Sequence, residues 1–101
     1  MQALQHIVLI KFPRELSRDE RAWIDQLISR WPAEIGGITR LHWGQDVSGR
    51  SRGYQLALVM EFASEEAARR YHPHPLHQEF AQWVGQQGGE VLAFDFPIDG
   101  D

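Results

Sequence analysis

Tyr71 and His77 place a phenol hydroxyl and an imidazole close together in the second half of the chain. Pro75 suits the first position of a helix, so His77 falls in its first turn, on the side of Phe80 and Ala81. The positive end of a helix and burial both disfavour an imidazolium, so we expect a lowered pKa for His77. A neutral imidazole can act as a base, and the Tyr71 hydroxyl can hold a carbonyl oxygen on which charge develops. The pair predicts proton abstraction next to a carbonyl group.

Asp95 and His6 are the two other polar residues that we assign to this site. Asp95 is a charge between Phe94 and Phe96, and we expect it to lie within reach of the His77 ring and to fix its tautomer. His6 shares its parity with apolar residues of the first predicted strand, so it lines the same cavity if that parity faces the helices. The sequence therefore predicts Tyr71, His77 and Asp95 as catalytic residues, with His6 in the same cavity.

Each of these four residues has a structural alternative. His77 can be a core histidine that bonds a backbone carbonyl, and Tyr71 can pack its ring and bond a nearby backbone group. Asp95 can be an ordinary exposed strand residue. His6 can lie half solvated at a barrel mouth.

His72, His74 and His77 form a His-x-His-x-x-His pattern that suggests zinc or nickel. The intervening prolines should turn the first two imidazoles outward. We therefore predict no metal site. We also expect no cofactor.

The elements that position these residues alternate in a simple order. Four β-branched and aromatic segments indicate strands, separated by two helical segments, and the order β-α-β-β-α-β is that of the ferredoxin-like α+β plait. The first helix begins with a capping box at Ser17 and Glu20 and ends at Pro32. The second begins at Ser64 and is interrupted at residues 72–75, because proline disfavours the α conformation in the residue before it. The predicted strands are 6–12, 38–47, 54–62 and 91–97.

The first and third predicted strands are apolar at both parities. Two helices can cover only one face of a four-stranded sheet, so a second apolar face needs another covering layer. An identical sheet is the simplest one, and Ile7, Leu9, Ala57 and Val59 are the predicted contact residues of a homodimer. Alternatively, these residues are β-formers on a partly exposed face.

The composition limits the function classes. The chain has 101 residues, which is room for one domain, and a net charge of -4 without a basic cluster, which argues against nucleic-acid binding. It has no cysteine, and no apolar stretch of membrane-spanning length. We expect a soluble, cytoplasmic protein without a nucleic-acid or membrane partner.

Four segments of the chain resemble the stress-responsive dimeric A/B barrel domain family: residues 6–12, 43–46, 71–80 and 94–96. Members include stress-induced oligomers without assigned chemistry, and plant polyketide cyclases similar to olivetolic acid cyclase. In those cyclases a tyrosine and a histidine on the broken second helix act on a poly-β-keto substrate. The resemblance puts Tyr71 and His77 at these places and His6 at a pocket histidine, whereas Leu56 stands where the cyclases carry another histidine.

These observations together predict a homodimer that binds, and enolises or cyclises, a small keto, polyketide-like or aromatic molecule without a cofactor. One alternative is a non-enzymatic stress or assembly protein. Another is a monooxygenase of the wider barrel group, although the Asn/Trp/His set typical of those enzymes cannot be placed on this chain. The predicted substrate-binding residues are His6, Val8, Ile10, Leu41, Trp43, Leu56, Leu58 and Phe80.

Overall fold

The computed structural model describes residues 2–98 of the chain, in which four strands and four helices follow one another. No helix in this part of the chain is both long and apolar enough to cross a membrane. The elements are β1 (Ala3–Lys11), α1 (Arg18–Ser29), α2 (Trp31–Glu34), β2 (Ile38–Gln45), β3 (Leu56–Phe62), α3 (Glu65–Tyr71), α4 (Pro75–Gln86) and β4 (Glu90–Ile98).

The sheet is antiparallel throughout, in the order β2-β3-β1-β4. This is the predicted β-α-β-β-α-β plait, and the ferredoxin-like α+β fold is confirmed. The predicted strand bounds differ from the observed ones by up to three residues. β1 begins earlier, at Ala3, and β2 ends earlier, at Gln45.

The first helical segment has the predicted start but not the predicted end. The Ser17 side chain accepts from the Glu20 amide while the Glu20 carboxylate accepts from the Ser17 amide, which is the expected capping box. Helix α1 stops at Ser29, and Pro32 lies within the first turn of the short helix α2 instead of ending the first helix. Proline is tolerated there because the first amides of a helix have no partner to lose.

The second helical segment breaks where the prolines predict. Ser64 caps α3 by accepting from the Ala67 amide, and α3 ends at Tyr71. Helix α4 begins at Pro75, with the imidazole of His74 as its cap: His74 Nδ1 accepts from the Leu76 amide. The chain therefore changes direction between Tyr71 and His77.

The two faces of the sheet differ in their cover. One face, which carries His6, Ile10 and Leu58, is buried under the helices with most of the core. On the other face the register places Ile7 opposite Val59 and Leu9 opposite Ala57, and β4 adds Leu92, Phe94 and Phe96. Within one chain this apolar face is open: Val59 is 37% exposed and Phe94 is 65% exposed.

The turn into β2 generates a first prediction. Gly37 has φ +93°, and a Cβ on it would lie 2.4 Å from the Cβ of Ala67 on α3. Gly37→Ala should therefore lower the free energy of unfolding by about 2–4 kcal/mol, through left-handed strain and overpacking. Gly36→Ala is the matched control, because no atom lies within 4 Å of its Cβ position. Urea denaturation of both variants checks this, and equal stability of the two would contradict it.

Candidate functional site

A cavity of about 250 Å³ lies between the covered face of the sheet and the broken second helical segment. It opens towards the β4 edge, where Val91 is 57% exposed. Its polar lining comes from His6, Tyr71, His72 and His77, and the rest is apolar. The structure thus brings three of the four predicted polar site residues, His6, Tyr71 and His77, to one cavity. The apolar lining residues are Val8, Ile10, Leu58, Phe80, Ala81, Val84, Val91 and Ala93.

His77 is held by a backbone carbonyl. Its Nδ1 lies 2.8 Å from the carbonyl oxygen of His72, which also accepts from the Gln78 side chain. A carbonyl only accepts, so Nδ1 carries the proton, and Nε2 of the neutral ring presents a lone pair. Burial lowers the pKa of His77, and the bond to His72 opposes this shift. The carbonyl bond, predicted only as the structural alternative, leaves the second nitrogen available as a base.

Tyr71 packs its ring and leaves its hydroxyl unpaired. The ring centroid lies 4.3 Å from that of His77 and 5.6 Å from that of Trp31. Within residues 2–98 the hydroxyl forms no hydrogen bond, in contrast to the backbone bond of the structural alternative. Burial raises the pKa of Tyr71 far above its usual value, so the phenol stays protonated. It is therefore a hydrogen-bond donor without an acceptor in this part of the chain.

Asp95 does not serve His77, which corrects the predicted pairing. The β1–β4 register places Asp95 directly opposite His6, and the Asp95 carboxylate lies 2.5 Å from His6 Nδ1. His77 instead uses the His72 carbonyl. The expectation that Asp95 reaches His77 was wrong because cross-strand neighbours on one face are closer than a residue on the overlying helix.

Three predicted substrate-binding residues lie outside the cavity. Leu41 and Trp43 are on the covered face, but on β2, which is two strands away from β1 and at the opposite edge from β4. Leu56 is buried in the core opposite Ile10. The alternation along each strand predicts which face a residue lies on, but not whether the first or the second helical segment covers it. The remaining predicted residues, His6, Val8, Ile10, Leu58 and Phe80, line the cavity.

The histidine pattern is divided between different tasks. His74 caps α4, and His77 bonds the His72 carbonyl. His72 is exposed, as the predicted outward imidazole implies, and its ring also borders the cavity, 5.8 Å from that of His6. Residues 2–98 contain no group of three or more potential ligands arranged to hold a metal ion.

A family model described as the Stress responsive A/B Barrel Domain matches residues 4–98. The chain belongs to this family. None of the curated proteins compared with this A/B barrel chain matches it.

Solved structures repeat the fold of this A/B barrel domain over nearly its whole length. A hydroxynitrile lyase from Passiflora edulis is 18% identical, with TM-score 0.82, over 99% of this chain and 96% of that one. A dimeric ferredoxin-like protein from Thermobifida fusca is 22% identical, with TM-score 0.81, over 96% of this chain and 92% of that one. A protein from Arabidopsis thaliana is 27% identical, with TM-score 0.79, over 97% of both chains. Identities this low in the first two describe the fold alone.

The environment of His77 in this A/B barrel domain generates a titration prediction. His6, His72 and His74 are the titratable groups that add to its burial in lowering the pKa. The unfolded chain therefore takes up more protons than the folded one at acid pH, so the free energy of unfolding should fall as pH drops through the ordinary value of 6.5.

An NMR titration should give His77 a lower pKa in the folded chain than in the same chain unfolded in urea. The ¹⁵N shifts at neutral pH should show the proton on Nδ1. A folded pKa at or above the unfolded one would contradict this account.

Proposed function

We propose that this chain is an acid–base enzyme that binds a small, mainly apolar carbonyl compound and enolises it with its own side chains. The supporting observation is a hydrogen-bond donor without an acceptor, the Tyr71 hydroxyl, beside a neutral base, His77, at one cavity. Its volume suits a ligand of one or two rings. From the sequence we still predict that the protein is located in the cytoplasm.

The proposed step needs only these two groups. His77 Nε2 takes a proton from the carbon next to the carbonyl, and the electron pair of that C–H bond becomes the C=C bond of the enolate. The carbonyl π electrons move onto oxygen, where the Tyr71 hydroxyl donates a hydrogen bond to the developing charge. Return of a proton from His77 to the same carbon, or to another acceptor, completes the step. Such an enolate is also the nucleophile that a cyclisation requires.

We also propose that two copies of the chain pair through their open sheet faces. The apolar residues Ile7, Val59 and Phe94 share that face, and the relative from Thermobifida fusca is described as dimeric. The catalytic cavity lies on the opposite face, so this pairing leaves it accessible from the β4 edge.

Enolisation predicts exchange of carbon-bound hydrogen. In D₂O the protein should accelerate deuterium incorporation at the α-carbon of propiophenone, followed by ¹H NMR. His77→Ala and Tyr71→Phe should each lower the accelerated rate about a hundredfold or more, because each removes one of the two groups.

Tyr54→Phe is the matched tyrosine control, since Tyr54 lies in the loop before β3, away from the cavity. The phenylalanine ring keeps the aromatic face that Lys11 contacts. Its exchange rate should equal that of the wild type. Unchanged exchange in the folded His77 and Tyr71 variants would contradict the proposal and favour the assembly role.

Pairing through the open face predicts the effect of a charge there. Val59→Lys should convert the dimer to a monomer at micromolar concentration, because an unpaired charge in a dry interface costs several kcal/mol. Val47→Lys is the matched control, since Val47 is 99% exposed in the loop between β2 and β3. Light scattering decides between the two states. A wild-type chain that is folded and monomeric at this concentration would contradict the proposed pairing.

A further inference from the structure

The His6–Asp95 hydrogen-bonded pair has no role in the proposed enolisation. His6 is buried, whereas the Asp95 side chain is 42% exposed at the β4 edge. Asp95 does not line the cavity itself, so it stands behind His6. Its contact with the cavity runs through the His6 ring.

The pair determines which nitrogen of His6 is free. A carboxylate only accepts, so the proton of the neutral ring is on Nδ1, and Nε2 presents a lone pair. Within residues 2–98, Nε2 forms no hydrogen bond. It is not sealed from solvent either, because Trp31 Nε1 is the one fully buried side-chain polar atom without a partner in this part of the chain. His6 therefore offers an unused acceptor at the cavity.

The three unpaired groups form a complementary set. His6 and His77 present one acceptor each, and both rings contact that of Tyr71, at 5.9 Å and 4.3 Å between centroids. Tyr71 presents a donor. A ketone satisfies Tyr71 through its oxygen and His77 through its α-C–H, which leaves His6 Nε2 without a partner. A ligand that fills the cavity excludes water from this acceptor, and an acceptor left without any partner disfavours binding. The set is therefore complete only with a ligand that brings one further donor.

We propose that the ligand of this site is a small hydroxyketone, whose hydroxyl donates to His6 Nε2 while its carbonyl accepts from Tyr71. In this arrangement Asp95 is a positioning residue that keeps the His6 proton on Nδ1. The inference rests on the proposed enolisation for the roles of Tyr71 and His77, and adds the group that selects the substrate. No proton leaves the hydroxyl: it is a hydrogen-bond donor only.

Two isosteric probes test the selection. 2-Hydroxyacetophenone carries a hydroxyl where propiophenone carries a methyl group, and both have an α-CH₂. The wild type should bind the hydroxyketone at least about tenfold more tightly by NMR titration, which is the effect of about one added hydrogen bond. His6→Ala should bring the ratio of the two dissociation constants close to one. Asp25→Ala, on the exposed face of α1, is the matched carboxylate control and should keep the wild-type ratio.

A spectroscopic measurement tests the positioning role of Asp95. The ¹⁵N shifts of His6 should show Nδ1–H in the wild type and a shift towards Nε2–H in Asp95→Ala, together with a loss of the binding preference. Asp95→Asn keeps an acceptor oxygen and should restore both in part. An Nε2–H tautomer in the wild type would overturn the inference without any variant.

The outcomes separate this inference from the proposed function. Equal binding of the two probes, with propiophenone still exchanged, would overturn the hydroxyl selection alone. A preserved preference for the hydroxyketone without exchange of either probe would overturn the enolisation alone, and with it the catalytic role of His77.

Discussion

The His72 carbonyl is the group on which the arrangement of the cavity depends. In an unbroken helix it would accept from the amide of Leu76, four residues later. That amide is instead taken by the His74 imidazole, which caps the helix begun by Pro75. The freed carbonyl accepts from His77 Nδ1. The helix break therefore turns His77 towards Tyr71 and also determines which of its nitrogens is available as a base.

On the sheet side of the cavity, His6 also has its Nδ1 proton held and its Nε2 free, but through a side chain. There a carboxylate, Asp95, takes the Nδ1 proton of His6 across neighbouring strands. Both imidazoles thus present Nε2 as an acceptor, one held by backbone and the other by a side chain. The Tyr71 ring contacts both imidazoles, and its hydroxyl stays protonated because burial raises its pKa.

The cavity and the open apolar face lie on opposite faces of the sheet. Alternate residues of β1 point to opposite faces, so His6 and Val8 border the cavity while Ile7 and Leu9 lie on the open face. The proposed pairing through the open face lies on the side of the sheet away from the cavity.

Local patterns in the sequence determined the order of the elements, the capping box at Ser17, the break before Pro75 and the inward position of His77. These follow from interactions between residues close in the chain, and backbone preferences of proline and cap residues are enough to set them. Strand parity also separated the two faces of the sheet correctly.

Only the tertiary structure decided the partner of Asp95 and the extent of the cavity. Asp95 and His6 are 89 residues apart, and their contact depends on the β1–β4 register, which no local pattern specifies. Likewise, parity placed Leu41 and Trp43 on the covered face, but the strand order put them at the far edge of the sheet. Which helix covers which strand is a property of packing.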